Sequence, residues 1–325
     1  MATLRFEGQP VATEPGETVL DALLRAGHAV PHACRAGACQ SCLVRAVATP
    51  PPDGSQFGLN EGLKARGFFL ACSARLSADL DVELGAGDLP RSRVRIAAID
   101  RPGADILRVL LEPESPFEYR AGQFLTLIRD DGLARSYSIA SVPGLDPALE
   151  LHVRVLPEGR MGRWLAEEAR PGDWATIQGP AGHCFYVPGQ PDQEIILAGT
   201  GTGLAPLYGI ARDAIQNGHS GPITLFHGAR DPSGLYLDGP LRDLERQHSG
   251  FRYIPCCLDP GDRPDIRAGR LEAVMHGEFP GYAGRRVYLC GNPAMVQALR
   301  KQVFLKGAKV KEIFVDAFLA SPASK

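Results

Sequence analysis

Four cysteines in the first quarter of the chain constrain its fold more than any other feature. Cys34, Cys39 and Cys42 are spaced C-x4-C-x2-C, and Cys72 follows an apolar Phe-Phe-Leu-Ala run. This spacing is typical of a [2Fe–2S] cluster held by four thiolates. Because three ligands must converge on one point, the segment that carries them has to fold as a tight loop. We therefore predict that these four cysteines are the metal ligands.

The residues between the ligands support this assignment. Ala36, Gly37 and Ala38 are small enough to let the backbone wrap closely and direct N–H groups at the sulfurs. A disulfide framework is disfavoured because the N-terminus lacks the apolar core of an export signal. A zinc site would more often show two C-x2-C pairs, and this segment has one.

Length and composition exclude several classes of protein. At 325 residues the chain is expected to form two or three domains. A hydrophobic content of 44% and a charged content of 22% are typical of soluble globular proteins. No apolar run is long enough to span a bilayer, and a net charge of −2 gives no electrostatic support for a nucleic-acid partner. We therefore expect a cytoplasmic monomer with reduced thiols and no membrane insertion.

The texture of the sequence changes twice along the chain. Up to residue 88, the patterns predict a β-hairpin around Gly8-Gln9, a helix over residues 18–26, a short helix over residues 60–65 and further short strands, and a Gly-rich linker ends at Pro90. From residue 92 to 189, short apolar segments separated by Pro and Gly predict an antiparallel Greek-key β-barrel. From residue 190 to 325, strands alternate with helices, which predicts a doubly wound α/β parallel sheet. The six predicted barrel strands are residues 94–100, 106–112, 123–129, 136–140, 149–156 and 174–179.

One predicted barrel strand carries side chains suited to a phosphorylated planar ligand. It contains Arg135, Ser136, Tyr137 and Ser138 in succession. Strand alternation places the arginine and the tyrosine on one face and the two serines on the other. A guanidinium can fork onto a phosphate, and a tyrosine ring can lie against a planar cofactor.

Glycines follow the first strand of the predicted parallel sheet. Gly199, Gly201 and Gly203 form the pattern G-x-G-x-G-x-x-P between an apolar strand and a helix. At such a turn a pyrophosphate can approach the backbone and the helix N-terminus. The spacing differs from the G-x-G-x-x-G of dinucleotide dehydrogenases.

Recognition of a nucleotide ribose is expected at the end of the next strand. Arg230 suits a 2′-phosphate and therefore NADPH, whereas Asp231 suits a 2′-hydroxyl and therefore NADH. The residues alone leave both open. Tyr236 is either a wall for the adenosine half or an ordinary packed aromatic residue.

These patterns occur in an order that resembles a known family. Residues 1–88 resemble the plant-type ferredoxin domain shared by ferredoxins and the reductase components of bacterial oxygenases, including the Gly16-Glu-Thr-Val-Leu20 segment before the ligand loop. Residues 92–325 resemble the ferredoxin–NADP reductase superfamily. The resemblance implies an α+β ferredoxin domain of the β-grasp type at 1–88, an FAD-binding barrel at 92–189 and an NAD(P)-binding α/β domain at 190–325.

The resemblance also implies roles for individual residues. Residues of the barrel would contact FAD, and Gly162 stands where relatives carry Ser or Thr. For His152 the alternative is a surface histidine, and for Cys290 it is a buried structural cysteine. The implied flavin contacts are Arg135, Ser136, Tyr137, Ser138, His152, Arg154, Gly159, Met161 and Gly162. The implied nicotinamide-nucleotide contacts are Gly199, Gly201, Thr202, Gly203, Arg230, Asp231, Tyr236, Cys290 and Gly291. The implied catalytic residues are Cys290, Thr202, Ser138 and Phe318, with Phe314 as the alternative ring that covers the flavin.

The resulting hypothesis is an NAD(P)H-dependent electron-transfer reductase. A nicotinamide nucleotide, by resemblance NADH, would deliver a hydride to FAD, and the [2Fe–2S] cluster would pass single electrons to an acceptor protein. By resemblance the acceptor is an oxygenase component or its small ferredoxin. Two alternatives stay open: a reductase that serves a deoxysugar dehydratase or another acceptor, and a redox-sensing or interaction protein without turnover.

Overall fold

The computed structural model describes residues 2–28, 30–32, 35, 37, 40–57, 59, 61–84 and 90–318, which form three sheets. The first sheet has the order β2-β1-β5-β3-β4, and the helix α1 (Val19–Arg25) belongs to the same unit. Its core includes Leu4, Leu20 and Phe69, all fully buried. The strands are β1 (Leu4–Phe6), β2 (Gln9–Val11), β3 (Leu43–Val47), β4 (Phe68–Leu70) and β5 (Leu80–Leu84), and a second helix is α2 (Glu61–Ala65).

Local sequence explains the first hairpin and the first helix. Phe6 pairs with Gln9, and the two residues between them, Glu7 and Gly8, both have positive φ, which is the geometry of a tight hairpin turn. The side chain of Thr18 accepts a hydrogen bond from the N–H of Asp21 and so caps α1. Both elements were predicted, although the turn lies one residue earlier than expected.

The second sheet is an antiparallel barrel of six strands in the order β10-β7-β6-β11-β8-β9. A bridge between Ile139 and Leu151 connects its two outer strands. The helix α3 (Arg160–Arg163) continues directly into a π-helical turn, Trp164–Glu168. The strands are β6 (Arg91–Asp100), β7 (Ile106–Pro113), β8 (Phe124–Ile128), β9 (Ala134–Ser138), β10 (Leu149–Arg154) and β11 (Trp174–Ala181).

The third sheet is parallel and has the order β15-β14-β13-β12-β16-β17. Side chains of the central strand alternate between two cores, so that Leu197 packs with the helices on one face and Ile196 with those on the other. The strands are β12 (Ile195–Thr200), β13 (Ile223–Ala229), β14 (Phe251–Cys257), β15 (Arg267–Ala268), β16 (Arg286–Gly291) and β17 (Ile313–Ala317). The helices are α4 (Leu204–Gln216), α5 (Asp238–Gln247), α6 (Leu271–Glu278) and α7 (Pro293–Leu305).

The predicted fold class is confirmed, while several element bounds differ from the prediction. The strands β4, β15 and β17 were not predicted, because short strands give little periodicity and depend on their neighbours for pairing. The strand predicted at 136–140 begins earlier, at Ala134, where it pairs with Ile128. The predicted linker falls largely on residues 85–89, which lie outside the described residues. None of the helices in the described part of the chain is both long and apolar enough to cross a membrane.

The start of α4 packs unusually closely against the end of β16. A Cβ atom added to Gly203 would lie 2.6 Å from both the carbonyl carbon of Cys290 and the Cα of Gly291. These are backbone atoms of a central strand, so the neighbour cannot move aside as a flexible side chain would. The glycine is therefore required by packing.

This contact predicts a large effect of one methyl group. We expect Gly203→Ala to lower the free energy of unfolding by about 1–3 kcal/mol, because overpacking forces the helix away from the strand. Gly239→Ala is the matched control, since a Cβ at Gly239 meets no atom within 4 Å. Urea unfolding of both variants checks the prediction, and equal stability of the two would contradict it.

Candidate functional site

The predicted cluster loop has the hydrogen bonding that thiolate ligands require. Cys42 and Cys72 are both buried, and the N–H of Gly37 donates to the Sγ of Cys72 over 3.3 Å. Gly37 has a φ of +73°, which turns its N–H toward the sulfur. The predicted ligands Cys34 and Cys39 lie outside the described residues. The described half of the ligand set fits a cluster whose sulfurs accept backbone hydrogen bonds.

A large cavity lies between the barrel and the parallel sheet. Its volume is about 1360 Å³, and both units contribute to its walls. Of the residues assigned from the sequence to flavin, nucleotide or catalysis, fourteen line it, and these are Arg135, Ser136, Tyr137, Ser138, His152, Arg154, Gly159, Met161, Gly162, Gly201, Thr202, Arg230, Gly291 and Phe318. Gly199, Gly203, Asp231, Tyr236 and Cys290 do not line it.

Strand β9 forms one wall of this cavity, and its alternation is as predicted. The hydroxyl of Ser138 donates to Oδ2 of Asp316 over 2.7 Å, and the hydroxyl of Ser136 lies 3.1 Å from that of Ser41. The two serines therefore face the same way, toward two different neighbouring units. Burial raises the pKa of Tyr137 far above its usual range, so the phenol stays neutral.

Arginines stand where the cavity meets a second cleft. That cleft measures about 600 Å³ and is lined by residues of the barrel and of the first sheet. Arg135 and Arg160 line both spaces. Arg160 follows Gly159, which begins the helix α3 without a capping side chain. This arrangement presents two guanidinium groups and a helix N-terminus to one region, which suits a pyrophosphate.

Close packing explains the glycine at position 162. A Cβ there would lie 3.1 Å from the carbonyl oxygen of Arg154 and 3.2 Å from the Cα of Val155. The backbone of the adjoining segment leaves little room for the Ser or Thr that was expected from the resemblance. Glycine at this position therefore fits the close approach of the helix to the adjoining backbone.

The glycine turn of the third sheet has two separate functions. Gly201 and Thr202 line the cavity, and the guanidinium of Arg154 lies close to Gly201, since an added Cβ would be 3.0 Å from its Nη2. Gly199 faces away, and its Cβ would collide with Leu207 at 2.6 Å. Gly201 and Thr202 therefore shape the cavity surface, whereas Gly199 and Gly203 allow the helix α4 to pack closely.

The C-terminal segment brings a half-buried carboxyl group, that of Asp316, to the cavity. Burial raises the pKa of Asp316 to about 6, although the hydrogen bond from Ser138 acts in the opposite direction. Phe318 lines the cavity, whereas Phe314 stacks on Tyr288 with ring centroids 4.8 Å apart. The structure therefore favours Phe318 over Phe314 as the ring available to a cofactor.

Cys290 lies behind the cavity wall and not on it. Its Sγ is 3.6 Å from the Sγ of Cys184, and both side chains are buried. Burial raises the pKa of the Cys290 thiol well above its usual range. The thiol is held neutral next to the residue, Gly291, that does reach the cavity.

His152 connects the barrel to the third sheet. Its Nδ1 lies 2.8 Å from the hydroxyl of Tyr236, and its Nε2 lies 2.8 Å from Oε1 of Glu150. Arg108 donates to the other carboxylate oxygen over 2.9 Å. Burial alone would raise the pKa of Glu150, but the hydrogen bonds from His152 and Arg108 outweigh it and lower the pKa to about 2. The surface alternative for His152 is wrong, because its side chain is fully buried.

The residues predicted to read the ribose lie apart. Arg230 lines the cavity together with Arg270. The carboxylate of Asp231 instead accepts hydrogen bonds from the N–H and hydroxyl of Ser233, and so caps the turn that follows. Tyr236 is a packed aromatic residue whose hydroxyl forms a hydrogen bond with His152.

Sequence reasoning missed several residues of this region. Arg160, Asp316 and Cys184 were in or near recognised motifs but were given no role, and Ser41 had no visible signal. Their partners lie far away in sequence, as with Cys184 and Cys290, so local patterns could not pair them. A polar or charged residue next to a motif glycine or aromatic ring, as in Arg160 and Asp316, was the available hint.

Three domain-family models match the chain in the predicted order. The 2Fe-2S iron-sulfur cluster binding domain matches residues 4–77, the oxidoreductase FAD-binding domain matches 102–186 and the oxidoreductase NAD-binding domain matches 197–301. The first match contains all four predicted cysteine ligands. The predictions of a [2Fe–2S] cluster, FAD and a nicotinamide nucleotide are thus confirmed.

Relatives match over nearly the whole chain. The reductase subunit of an aromatic O-demethylase from Amycolatopsis is 36% identical, covering 98% of both chains. Reductase component 2 of terephthalate 1,2-dioxygenase from Comamonas is 32% identical, covering 95% of this chain and 94% of that one. Among solved structures, the Amycolatopsis cytochrome P450 reductase GcoB matches with a TM-score of 0.72 and 32% identity over 100% of both chains.

Asp316 predicts a measurable pH dependence of stability. Its pKa rises from 3.8 to about 6 on folding, so the folded state favours the protonated form. The contribution of this carboxyl group to the free energy of unfolding is fully present below pH 3.8 and is lost as the pH rises through about 6. Asp316→Asn mimics the protonated form, so we expect its melting temperature, relative to the native protein, to rise across this interval. Thermal melts at several pH values test this, and a difference that does not change with pH would contradict it.

Proposed function

The chain belongs to the family of oxygenase-system reductase components, which join a 2Fe-2S domain to an FAD- and NAD-binding module, and on this premise we propose its specific reaction. It takes a hydride from NADH onto FAD and passes single electrons through the cluster to an oxygenase component. The nucleotide is assigned as NADH by resemblance, and NADPH is the alternative.

One observation carries this proposal. A single cavity is lined both by the Arg-Ser-Tyr-Ser strand of the barrel and by Gly201 and Thr202 of the nucleotide unit. A hydride moves directly from one carbon to another, so donor and acceptor must meet in one space. At about 1360 Å³, the cavity exceeds the usual range of ligand pockets, roughly 300–1,000 Å³, as two large cofactors require.

The residues around the cavity have distinct positioning roles. FAD, when bound, supplies the conversion of a two-electron hydride into single electrons. Arg135 and Arg160 would hold its pyrophosphate, and Tyr137 would pack against its ring system. Gly201 and Thr202 would hold the pyrophosphate of the nicotinamide nucleotide, and Phe318 would cover the flavin from the C-terminal side.

Ser138 and Asp316 would hold a proton at the wall of the cavity. The carboxyl of Asp316 has a pKa of about 6, so it can hold or release a proton near neutral pH, and the hydroxyl of Ser138 fixes its orientation over 2.7 Å. Behind them, the buried side chains of Cys184 and Cys290 fill the wall and exclude water.

The acceptor is proposed from the relatives. Those named above are reductase subunits of an O-demethylase and of a dioxygenase, and another, from Pseudomonas putida, belongs to a naphthalene 1,2-dioxygenase system. We infer that the acceptor of this chain is likewise an oxygenase component or its ferredoxin. Because one chain carries all three binding units, we propose that it works as a monomer.

The modular arrangement predicts separable activities. In Cys72→Ser the cluster should be lost, while NADH-dependent reduction of a small dye at the flavin continues at the native rate, because Cys72 belongs to the first unit. Absorption spectra with NADH and with NADPH, together with dye reduction, measure both properties. Cys257→Ser is the matched control, since it changes a buried cysteine of the third sheet.

The outcomes are distinct. Flavin and cluster bands that bleach within seconds of adding NADH to the native protein support the reductase. A colourless protein, or bands indifferent to both nucleotides, would overturn it. Loss of dye reduction in Cys72→Ser with its retention in Cys257→Ser would show that the units are not independent.

A further inference from the structure

Three hydroxyl groups form a closed triangle where the cluster loop meets the barrel. Ser41 Oγ lies 3.0 Å from Thr126 Oγ1 and 3.1 Å from Ser136 Oγ, and the last two are 3.1 Å apart. A hydroxyl has one proton to donate and can accept at its oxygen, so three hydroxyls satisfy three edges with each donating once. We call Ser41, Thr126 and Ser136 the hydroxyl ring.

The hydroxyl ring lies between the cluster loop and the flavin cavity. Ser41 directly precedes the ligand Cys42 in the chain, whereas Thr126 and Ser136 pair in register on β8 and β9. Ser136 also lines the cavity, beside Tyr137. One hydrogen bond therefore connects a residue of the cavity wall to the neighbour of a cluster ligand.

Two of the three hydroxyl groups are buried, and the third, that of Ser136, is half-buried at the cavity wall. Ser41 is 4% exposed and Thr126 is 3% exposed. Breaking a buried hydrogen bond is costly, so moving the cluster loop away from the barrel without admitting water would lose two hydrogen bonds that cross between the units. Because hydrogen bonds depend on direction, the hydroxyl ring favours one orientation of the cluster loop on the barrel, which apolar packing alone would not do.

The region next to the ring is open. The cleft of about 600 Å³ separates His32 and Leu24 of the first unit from Ile128 and Arg129 of the barrel. By contrast, the barrel and the third sheet are tied by the bidentate Asp146–Arg212 pair at 2.9 and 2.6 Å. Because this cleft reduces the packed area between the first unit and the barrel, the orientation of the two units depends more on specific contacts such as those of Ser41.

We propose that the hydroxyl ring positions the cluster domain on the flavin barrel for electron transfer. Ser41 and Thr126 act as positioning residues, since they hold the cluster loop against the cavity wall. Their loss slows the passage of electrons from flavin to cluster and leaves the hydride step unchanged. This inference rests on the proposed reductase function.

A purely structural reading of the same atoms makes different predictions. Thr126 and Ser136 are directly opposite on neighbouring strands, and such pairs stabilise sheets without any further function. On that reading Thr126→Val would weaken the barrel and Ser41→Ala would have no effect on electron transfer. A purely stabilising role would not slow cluster reduction in both variants while leaving flavin reduction at the native rate.

The test is anaerobic stopped-flow absorbance of the holoprotein mixed with NADH, which follows the flavin band and the cluster band separately. Ser41→Ala removes both hydrogen bonds that cross to the barrel, and Thr126→Val removes one. Loss of a neutral hydrogen bond changes the equilibrium between docked and undocked cluster domain by a factor of roughly three to ten. We therefore expect the rate of cluster reduction to fall by about threefold in Thr126→Val and by about tenfold in Ser41→Ala. The double variant should be no slower than Ser41→Ala, since both changes open the same ring.

Controls separate the possible failures. Thr224→Val changes a buried threonine of the third sheet and should leave the ratio of cluster reduction to flavin reduction at the native value. Native ratios in both ring variants, with intact cluster spectra, would overturn the proposal. If Ser41→Ala does not retain its cluster, Thr126→Val decides alone, because that residue lies on the barrel. A native protein whose flavin is not reduced by NADH would instead overturn the proposed function.

Discussion

The rest of the structure depends on the position of one short strand, β9, because two of its serines connect the barrel to the other two units. The period of two along a strand places Ser136 and Ser138 on one face. The first meets Ser41 of the cluster loop, and the second meets Asp316 of the parallel sheet. Arg135 and Tyr137 alternate with these serines along the strand and also line the cavity. A shift of β9 by one residue would break both connections together, so the register of the β8–β9 pair fixes the geometry of the whole electron path.

Charge and burial divide the cavity into two regions with different chemistry. At the end shared with the second cleft, Arg135 and Arg160 provide positive charge for anionic groups. At the opposite contact between barrel and sheet, Asp316 is desolvated and its pKa is raised to about 6. The first region suits an anionic group, and the second holds a carboxyl group that titrates near neutral pH. The reaction in this cavity does not require a strong general base, because the cofactors supply the chemistry.

Sequence patterns that act locally predicted most of the fold and much of the site. The cysteine spacing identified the cluster loop, and the six barrel strands and the alternating α/β segment were placed with errors at their ends. The roles of Gly199 and Gly203 were only partly foreseen, because a glycine needed for helix packing looks the same in sequence as one needed for ligand approach. The contacts of Ser41 and of Cys184 could not be predicted. They arise from how separate units dock, and no periodicity within a unit encodes that arrangement.

The central claim is that electrons pass from the nucleotide to the cluster in series through the flavin. It is tested most directly by removing FAD from the holoprotein, adding NADH without oxygen, and following the cluster by its absorbance and its electron paramagnetic resonance signal. The account predicts that the cluster stays oxidised in the FAD-free protein and is reduced once FAD is restored. Reduction of the cluster by NADH without FAD would contradict it.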